Sequence, residues 1–312
     1  MKIDVHQHLW TEPLVQALAE RGDLPFVRRE SGLTVLYLAG ERPYVIDLRE
    51  EDGARRASLV ERDGLDRALL CLSSALGIEW LAGPESRALL DAYHEGALAL
   101  GEPFGVWGAL PLRSPTPDDV DRAVELGCIG ISMPAGALAS VDAVAGLQPL
   151  LARLELLEAP LLIHPGPAAP GRAVASAETS LNDPLWWPAL TSYVAGMHAA
   201  WLAFRTCGRR AHPRLRVIFT MLGGLAPLHC ERLSSRGGQG AGDGDALIFY
   251  DTSSYGPSAI GAIQRLVGGQ QVLYGSDRPI VDPSAGGLNA QLDWSVLAEG
   301  TRQALGESRL AA

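Results

Sequence analysis

The sequence is poor in lysine and cysteine and has no long apolar run, and each of these absences excludes a class of protein. Lys2 is the sole lysine among 26 basic residues, and 36 acidic residues leave a formal net charge of −10. This charge disfavours binding to a nucleic-acid backbone or to an anionic membrane surface. No apolar stretch approaches the roughly 18 residues of a membrane span, so the sequence predicts a soluble protein.

The cysteines and the first residues argue against disulfides, a zinc knuckle and a signal peptide. The four cysteines are far apart and form no C-x-x-C pair, which favours buried free thiols over disulfides or a zinc knuckle; they are Cys71, Cys128, Cys207 and Cys230. Residues 1–6 enter a strand pattern at once and leave no room for a signal peptide. The expected location is therefore the cytoplasm.

Short apolar runs alternate with longer stretches of helical period, the pattern of repeated βα units. Strands are predicted at 2–9, 67–73, 104–110, 128–133, 160–164, 215–221, 246–252 and 271–276. Helices are predicted at 12–21, 84–100, 117–127, 143–158, 188–208, 225–236, 257–267 and 292–306. Because eight strands close a parallel barrel, the sequence predicts an α/β fold, a (β/α)8 TIM barrel, as one domain over residues 1–312.

Two segments interrupt this rhythm. Residues 32–48 contain two alternating apolar runs around a turn, which predicts a small β-hairpin inserted after strand one, over the barrel mouth. Residues 165–188 are rich in Pro, Gly, Ala and Ser and predict a long loop after strand five. Loops that follow barrel strands build the active site, so this loop is expected to help shape the pocket.

Three histidines and one aspartate stand at predicted strand ends. His6 and His8 are one residue apart on strand one, so their side chains share a face. His164 ends strand five, and Asp277 follows strand eight. Each residue alone also has a structural interpretation, as a hydrogen-bonded strand-end histidine or as a helix N-cap. Together they form a ligand set suited to Zn²⁺ or a similar divalent ion.

These residues resemble the amidohydrolase-related superfamily (amidohydrolase family 2), in the branch that contains aminocarboxymuconate semialdehyde decarboxylase. The motifs that carry the resemblance are Asp4-Val5-His6-Gln7-His8, Ile163-His164-Pro165, Gly223-Gly224 and Gly275-Ser276-Asp277-Arg278-Pro279. The resemblance implies one divalent metal ion held by His6, His8, His164 and Asp277. It also implies that Asp277 accepts a proton from metal-bound water, and that the protein is a homodimer.

The chain departs from this family at strand six, where an H-x-G-G pattern is usual and Met221-Leu222-Gly223-Gly224 stands instead. His229 lies eight residues further on, and we interpret it as a helix or interface histidine. Arg232 matches a family position from which an arginine can reach a neighbouring subunit's pocket, although a solvated helix arginine is an equal alternative.

The centre is predicted to hold a single ion. Binuclear members of the superfamily bridge two ions with a carboxylated lysine, and Lys2 lies at the opposite end of strand one. A second ion would also need the strand-six histidine, and the thioether of Met221 is a weak ligand for a hard cation. Zinc is the first choice for the single ion.

Other aromatic and basic residues are candidates for binding the substrate. Trp10 and the pair Trp186-Trp187 could line a pocket for a planar molecule or pack the lid, and Arg278 could attract a substrate carboxylate or pair with a loop acid. Gly223-Gly224 could offer backbone N–H groups to an anion at a helix start. The remaining histidines fall on predicted helices or their ends and are interpreted as structural; they are His94, His198 and His212.

Three functions fit these expectations. The leading hypothesis is a hydrolase in which metal-activated water attacks a carbonyl of an amide, a lactone or a similar small substrate. The first alternative is a non-oxidative decarboxylase of a small carboxylic acid, which releases CO2 without consuming water. The second is a metal-retaining binding protein with reduced or no catalysis, motivated by Met221.

Overall fold

The computed structural model describes residues 1–171, 183–238, 244–282 and 292–310. The strands in these ranges are β1 (Ile3–Gln7), β2 (Phe26–Glu30), β3 (Leu33–Tyr37), β4 (Tyr44–Ile46), β5 (Arg67–Leu70), β6 (Phe104–Gly108), β7 (Gly130–Pro134), β8 (Leu161–His164), β9 (Val217–Phe219), β10 (Ile248–Asp251) and β11 (Val272–Leu273). Eight of them form a parallel sheet in the order β1-β5-β6-β7-β8-β9-β10-β11. Each predicted barrel strand is present, usually shorter than predicted.

The sheet closes on itself between its first and last strands. The Val5 N–H donates to the Tyr274 carbonyl at 2.9 Å, and the Asp277 N–H donates to the His6 carbonyl at 2.9 Å. Beyond the end of β11, the His8 N–H donates to the Arg278 carbonyl at 2.7 Å. The predicted (β/α)8 TIM barrel is therefore confirmed, and its closure brings the ends of β1 and β11 together.

The helices mostly follow the predicted positions. They are α1 (Glu12–Ala19), α2 (Gly53–Arg62), α3 (Gly83–Leu98), α4 (Pro117–Glu125), α5 (Val141–Gly146), α6 (Gln148–Leu156), α7 (Trp187–Leu190), α8 (Ser192–Ala203), α9 (Arg209–Ala211), α10 (Cys230–Ser235), α11 (Pro257–Val267), α12 (Trp294–Leu305) and α13 (Glu307–Leu310). The helix predicted at 143–158 is two helices, because Pro149 starts a new one in the first turn of α6. Helix α2 was not predicted, although Asp52 caps it by accepting from the Arg55 N–H. No described helix is both long and apolar enough to cross a membrane.

The insertion after β1 is a three-stranded antiparallel sheet in the order β2-β3-β4. It contains the hairpin predicted at 32–48, in which Thr34 pairs with Ile46, and adds β2, which the sequence did not reveal. The hairpin turn reaches the segment after β8, since Arg42 donates to the Asp183 carbonyl at 2.8 Å. Of the long loop predicted at 165–188, residues 172–182 lie outside the described ranges.

The barrel interior is filled by apolar side chains. Most strands contribute one or two to a buried cluster that includes Ile3, Val5, Leu69, Trp107, Leu162, Ile218, Phe249 and Leu273. Inside it, the Trp107 indole N–H donates to the Val5 carbonyl at 3.0 Å, which satisfies the polar edge of a fully buried ring. This packed interior supports the polar residues that follow at the carboxyl ends of the strands.

Candidate metal centre

Three histidine rings converge at the carboxyl end of the barrel. The Nε2 atom of His8 lies 3.3 Å from Nε2 of His6 and 3.2 Å from Nε2 of His164. The three ring planes are mutually perpendicular, and their centroids are 4.9–5.0 Å apart. All three side chains are at most 5% exposed. The structure thus brings together three of the four predicted ligands in a compact, three-sided group.

The other nitrogen of each ring is held by an acceptor. Nδ1 of His6 contacts an Asp251 carboxylate oxygen at 2.8 Å, Nδ1 of His8 the Cys71 carbonyl at 2.9 Å, and Nδ1 of His164 the Pro165 carbonyl at 2.7 Å. A carbonyl or carboxylate oxygen only accepts, so Nδ1 must donate in each contact. When the three rings are neutral, their Nε2 lone pairs therefore point at one another.

Asp277 completes the group from the end of β11. Its Oδ1 lies 3.3 Å from Nε2 of His8 and 3.7 Å from Nε2 of His6. The Ser254 hydroxyl donates to its other oxygen at 3.2 Å, and the side chain is 16% exposed. Burial raises the pKa of Asp277, but the His8 contact and the charges of His6 and His8 lower it below its usual value. Asp277 is thus an ionised carboxylate at the open side of the cluster.

These four residues fit a divalent metal ion. Around a tetrahedral zinc ion with Zn–N bonds of about 2.0 Å, ligand atoms lie about 3.3 Å apart. The observed separations are 3.2–3.7 Å. Facing lone pairs cannot hydrogen-bond to one another, whereas a cation satisfies all of them.

The electrostatics of the cluster also favour a cation. Burial lowers the pKa of His8, but the charge of Cys71 and the contact with Asp277 raise it overall to about 9. Burial and the charges of His8 and His6 lower the pKa of His164 well below its ordinary value. The cluster therefore favours a positive charge: His8 holds a proton that a divalent ion must displace, whereas His164 is already neutral, the state in which imidazole binds a metal.

Cys71 lies within the same group and was interpreted from the sequence only as a buried structural thiol. Its sulfur belongs with His6, His8 and His164 to a buried set whose ligand atoms are all within 4.8 Å of one another. It is a free thiol, 3.6 Å from Nδ1 of His8. Cys71 lies just after β5, and this position at a strand end could have identified it as a site residue from the sequence.

The end of β1 is supported by a buried polar network. Asp4 is fully buried, and one of its oxygens accepts from both the His6 and the Ser276 N–H, which ties β1 to the segment after β11. Arg56 of α2 is 1% exposed and donates to the His8 carbonyl at 2.8 Å and to Glu51 at 3.1 Å. Helix α2 therefore helps to position His8, a role that the sequence did not indicate.

The end of β9 has an unusual backbone. Five consecutive residues have left-handed φ angles of 44–65°; they are Met221, Leu222, Gly223, Gly224 and Leu225. Only glycine adopts this conformation freely, and each of the three other residues costs about 1–2 kcal/mol. The right-handed helix predicted from residue 225 does not begin there: α10 begins at Cys230. The Gly223 N–H, one of the two groups of the predicted anion site, donates to the Thr220 carbonyl at 2.9 Å.

The three residues predicted to bind substrate, Trp10, Arg278 and Arg232, differ from one another in exposure and contacts. Trp10 is 5% exposed and its ring lies 6.3 Å from that of Tyr44 in the insertion. Arg278 is buried, and its guanidinium donates to Asp63 at 2.6 Å, which favours the ion-pair interpretation of this residue. Arg232 is exposed on α10, outside the histidine cluster.

The other histidines lie outside the cluster. His229 is exposed and packs edge-on against His198, with ring centroids 5.1 Å apart. His94 is buried, and its Nε2 accepts from the Ala109 N–H at 3.1 Å, while burial lowers its pKa to about 4. His212 is buried beside Glu155. These placements agree with the structural interpretation of the three helix histidines.

Two tyrosines, Tyr44 of β4 and Tyr193 of α8, have raised pKa values. Burial, followed by the charges of Glu51 and Asp277, raises the pKa of Tyr44. Burial and the neighbouring Glu41, with a contribution from Asp277, raise the pKa of Tyr193, whose hydroxyl donates to Glu41. Both phenols therefore stay protonated at neutral pH.

No protein-family model matches the chain, and no curated protein matches it by sequence. Solved structures do match. IDCase from Metarhizium anisopliae has a TM-score of 0.72 at 16% identity, covering 98% of this chain and 92% of that one. A 5-carboxyvanillate decarboxylase from Novosphingobium aromaticivorans, with bound manganese and 3-methoxy-4-hydroxy-5-nitrobenzoic acid, has a TM-score of 0.72 at 16% identity, covering 98% and 97%.

A 2,6-dihydroxybenzoate decarboxylase from Rhizobium has a TM-score of 0.63 at 14% identity, covering 100% of this chain and 99% of that one. Other similar structures carry the name amidohydrolase. Identities this low bear on the fold, and the resemblance inferred from the motifs is confirmed at that level. The chain has the (β/α)8 barrel fold of these amidohydrolase-related structures.

Proposed function

We propose that the chain is a metal-dependent decarboxylase that removes CO2 from a small carboxylic acid without oxidation. The observation that carries the proposal is the convergence of three imidazole Nε2 atoms and the Asp277 carboxylate at the carboxyl end of the barrel. The fold is shared with several structures named as decarboxylases of aromatic acids. This likeness supports decarboxylation better than the hydrolysis that the sequence favoured.

In this proposal His6, His8, His164 and Asp277 hold one divalent ion. The ion would supply Lewis-acid chemistry to a substrate carboxylate or an adjacent oxygen. The nitrogen-rich ligand set suits zinc, and a similar structure contains manganese.

Loss of CO2 leaves an electron pair on the substrate carbon, which must then receive a proton. We assign this proton transfer to Asp277: its ionised carboxylate would first take up a proton from solvent water and then deliver it to the substrate carbon. The carboxylate stands at the open side of the cluster, and one of its oxygens accepts from Ser254. A small anionic substrate is part of this proposal, which agrees with the benzoic acid ligand of one similar structure. A contribution of Arg232 would require a second subunit, so the predicted homodimer belongs to this proposal.

The test is an assay of the metal-loaded protein in D2O with hydroxylated benzoates as substrates. We expect CO2 release matched by one deuterium on the product carbon, with no net consumption of water. Hydrolysis of an amide or lactone without CO2 would restore the hydrolase hypothesis. Binding of these acids without turnover would favour a metal-retaining binding protein.

A further inference from the structure

Asp251 is a fully buried carboxylate at the end of β10 that neither the motifs nor the proposed reaction accounts for. Its Oδ2 accepts from Nδ1 of His6 at 2.8 Å. Its Oδ1 accepts from the Met221 N–H at 2.8 Å, the Ser253 N–H at 3.0 Å and the Ser253 hydroxyl at 2.5 Å. A Cβ on Gly275 would lie 2.7 Å from Oδ2, so the packing reserves this space for the carboxylate.

The two oxygens have different tasks. Because Oδ2 can only accept, Nδ1 of His6 must carry the ring proton and donate it to Oδ2. The lone pair of Nε2 is then directed at His8. Oδ1 holds the first N–H of the left-handed turn that begins at Met221. Nδ1 of His8 and Nδ1 of His164 donate to backbone carbonyls, and the Cys71 sulfur also lies 3.6 Å from Nδ1 of His8. Among the three rings, His6 is the one oriented by a carboxylate.

We propose that Asp251 is a positioning residue that sets the tautomer of His6 for metal binding and anchors the turn after β9. This inference rests on the metal centre of the proposed function. It follows that the affinity of the site for a divalent ion depends on a residue that does not touch the ion.

The variant Asp251→Asn tests the tautomer directly. Three donors converge on the Oδ1 position, so the amide must place its oxygen there and its NH2 group toward His6. His6 would then have to accept at Nδ1 and carry its proton on Nε2, where the ion binds. We expect the affinity of the metal-free protein for Zn²⁺, measured by calorimetry, to fall about 10–100-fold.

The matched control is Ser253→Ala, which removes the hydroxyl that donates to Oδ1 and accepts from the Met221 N–H, and leaves the contact between Asp251 and His6. The affinity of this variant for Zn²⁺ should stay within about threefold of wild type. That change is much smaller than the loss of affinity expected when the partner of a metal-binding histidine is removed. Undiminished Zn²⁺ affinity in a folded Asp251→Asn protein, or an equal loss in Ser253→Ala, would overturn the inference.

A measurement on the wild-type protein covers the case in which Asp251→Asn does not fold. The 15N shifts of His6 in the metal-free protein, at a pH where its ring is neutral, should show the proton on Nδ1. A proton on Nε2 would overturn the inference whatever reaction the protein catalyses. If the tautomer is as expected and Zn²⁺ binds but no CO2 is released, the proposed function fails and this inference stands.

Discussion

The ends of β8 and β9 are neighbours in the barrel, yet they contribute to the site in different ways. At the end of β8 the backbone is regular, and His164 presents its side chain to the cluster. At the end of β9 the chain turns into five left-handed residues, and Met221 contributes its backbone N–H to Asp251. A strand end can therefore serve the site through a ligand or through the backbone that supports another ligand.

The largest expected effect is on metal content, when histidine ligands are removed. Replacing His6 and His8 together by alanine should reduce the metal content from about one ion per chain to near zero, because two of three imidazoles are lost. Elemental analysis measures the metal, and circular dichroism should show a retained barrel. The control His229→Ala changes an exposed histidine and should keep full occupancy. Full occupancy in the double variant would refute the assignment.

The next effect concerns proton transfer at the end of β11. Asp277→Asn should lower kcat by about 10²–10⁴-fold, the range of a lost general acid or base. Ser254→Ala removes only the hydroxyl that donates to Asp277 and should cost less than tenfold. Steady-state rates of both variants, compared at equal metal content, decide the point. Comparable losses in the two would assign the role of Asp277 to the hydrogen bond and not to the carboxylate.

A third effect tests the buried ion pair of Arg56 and Glu51, which supports the end of β1. Arg56→Met leaves the buried Glu51 without its ion-pair partner and should cost about 3–5 kcal/mol in the free energy of unfolding. Arg55→Met on the same helix breaks an exposed pair with Glu50 and should cost at most about 1 kcal/mol. Denaturant titrations of both proteins give the difference. Equal costs would show that the buried network does not stabilise the end of β1.

The smallest expected effect on the metal concerns the end of β9. Met221→Ala keeps the N–H that Asp251 accepts, so the metal content should be unchanged. Because Met221 is 8% exposed, the loss of its side chain should still cost about 2–5 kcal/mol of stability. Metal analysis and thermal unfolding separate the two effects. Loss of the ion would make the thioether a ligand and remove the contrast between β8 and β9.

The sequence predicted the features that depend on local pattern. The H-x-H pair and the residues that end strands five and eight could be placed at one rim, since parallel strands of a barrel share their carboxyl end. The support of these residues could not be predicted. Asp251 is 245 residues from His6, and Arg56 is 48 residues from His8. Such contacts exist only once the barrel has closed.

The left-handed backbone after β9 could not be predicted from the sequence either. The pair Gly223-Gly224 signals left-handed geometry, but Met221, Leu222 and Leu225 do not favour it. A contact from β10, between Asp251 and the Met221 N–H, helps to hold this turn. Local preference predicted a right-handed helix here, and tertiary contacts overrode it.

The measurement that tests the central claim most directly is anomalous diffraction from crystals of the zinc-loaded protein, combined with elemental analysis of the same sample. We expect one ion per chain, bonded to Nε2 of His6, His8 and His164 and to the Asp277 carboxylate. Two fully occupied ions in each chain, or an ion bound away from these residues, would contradict it.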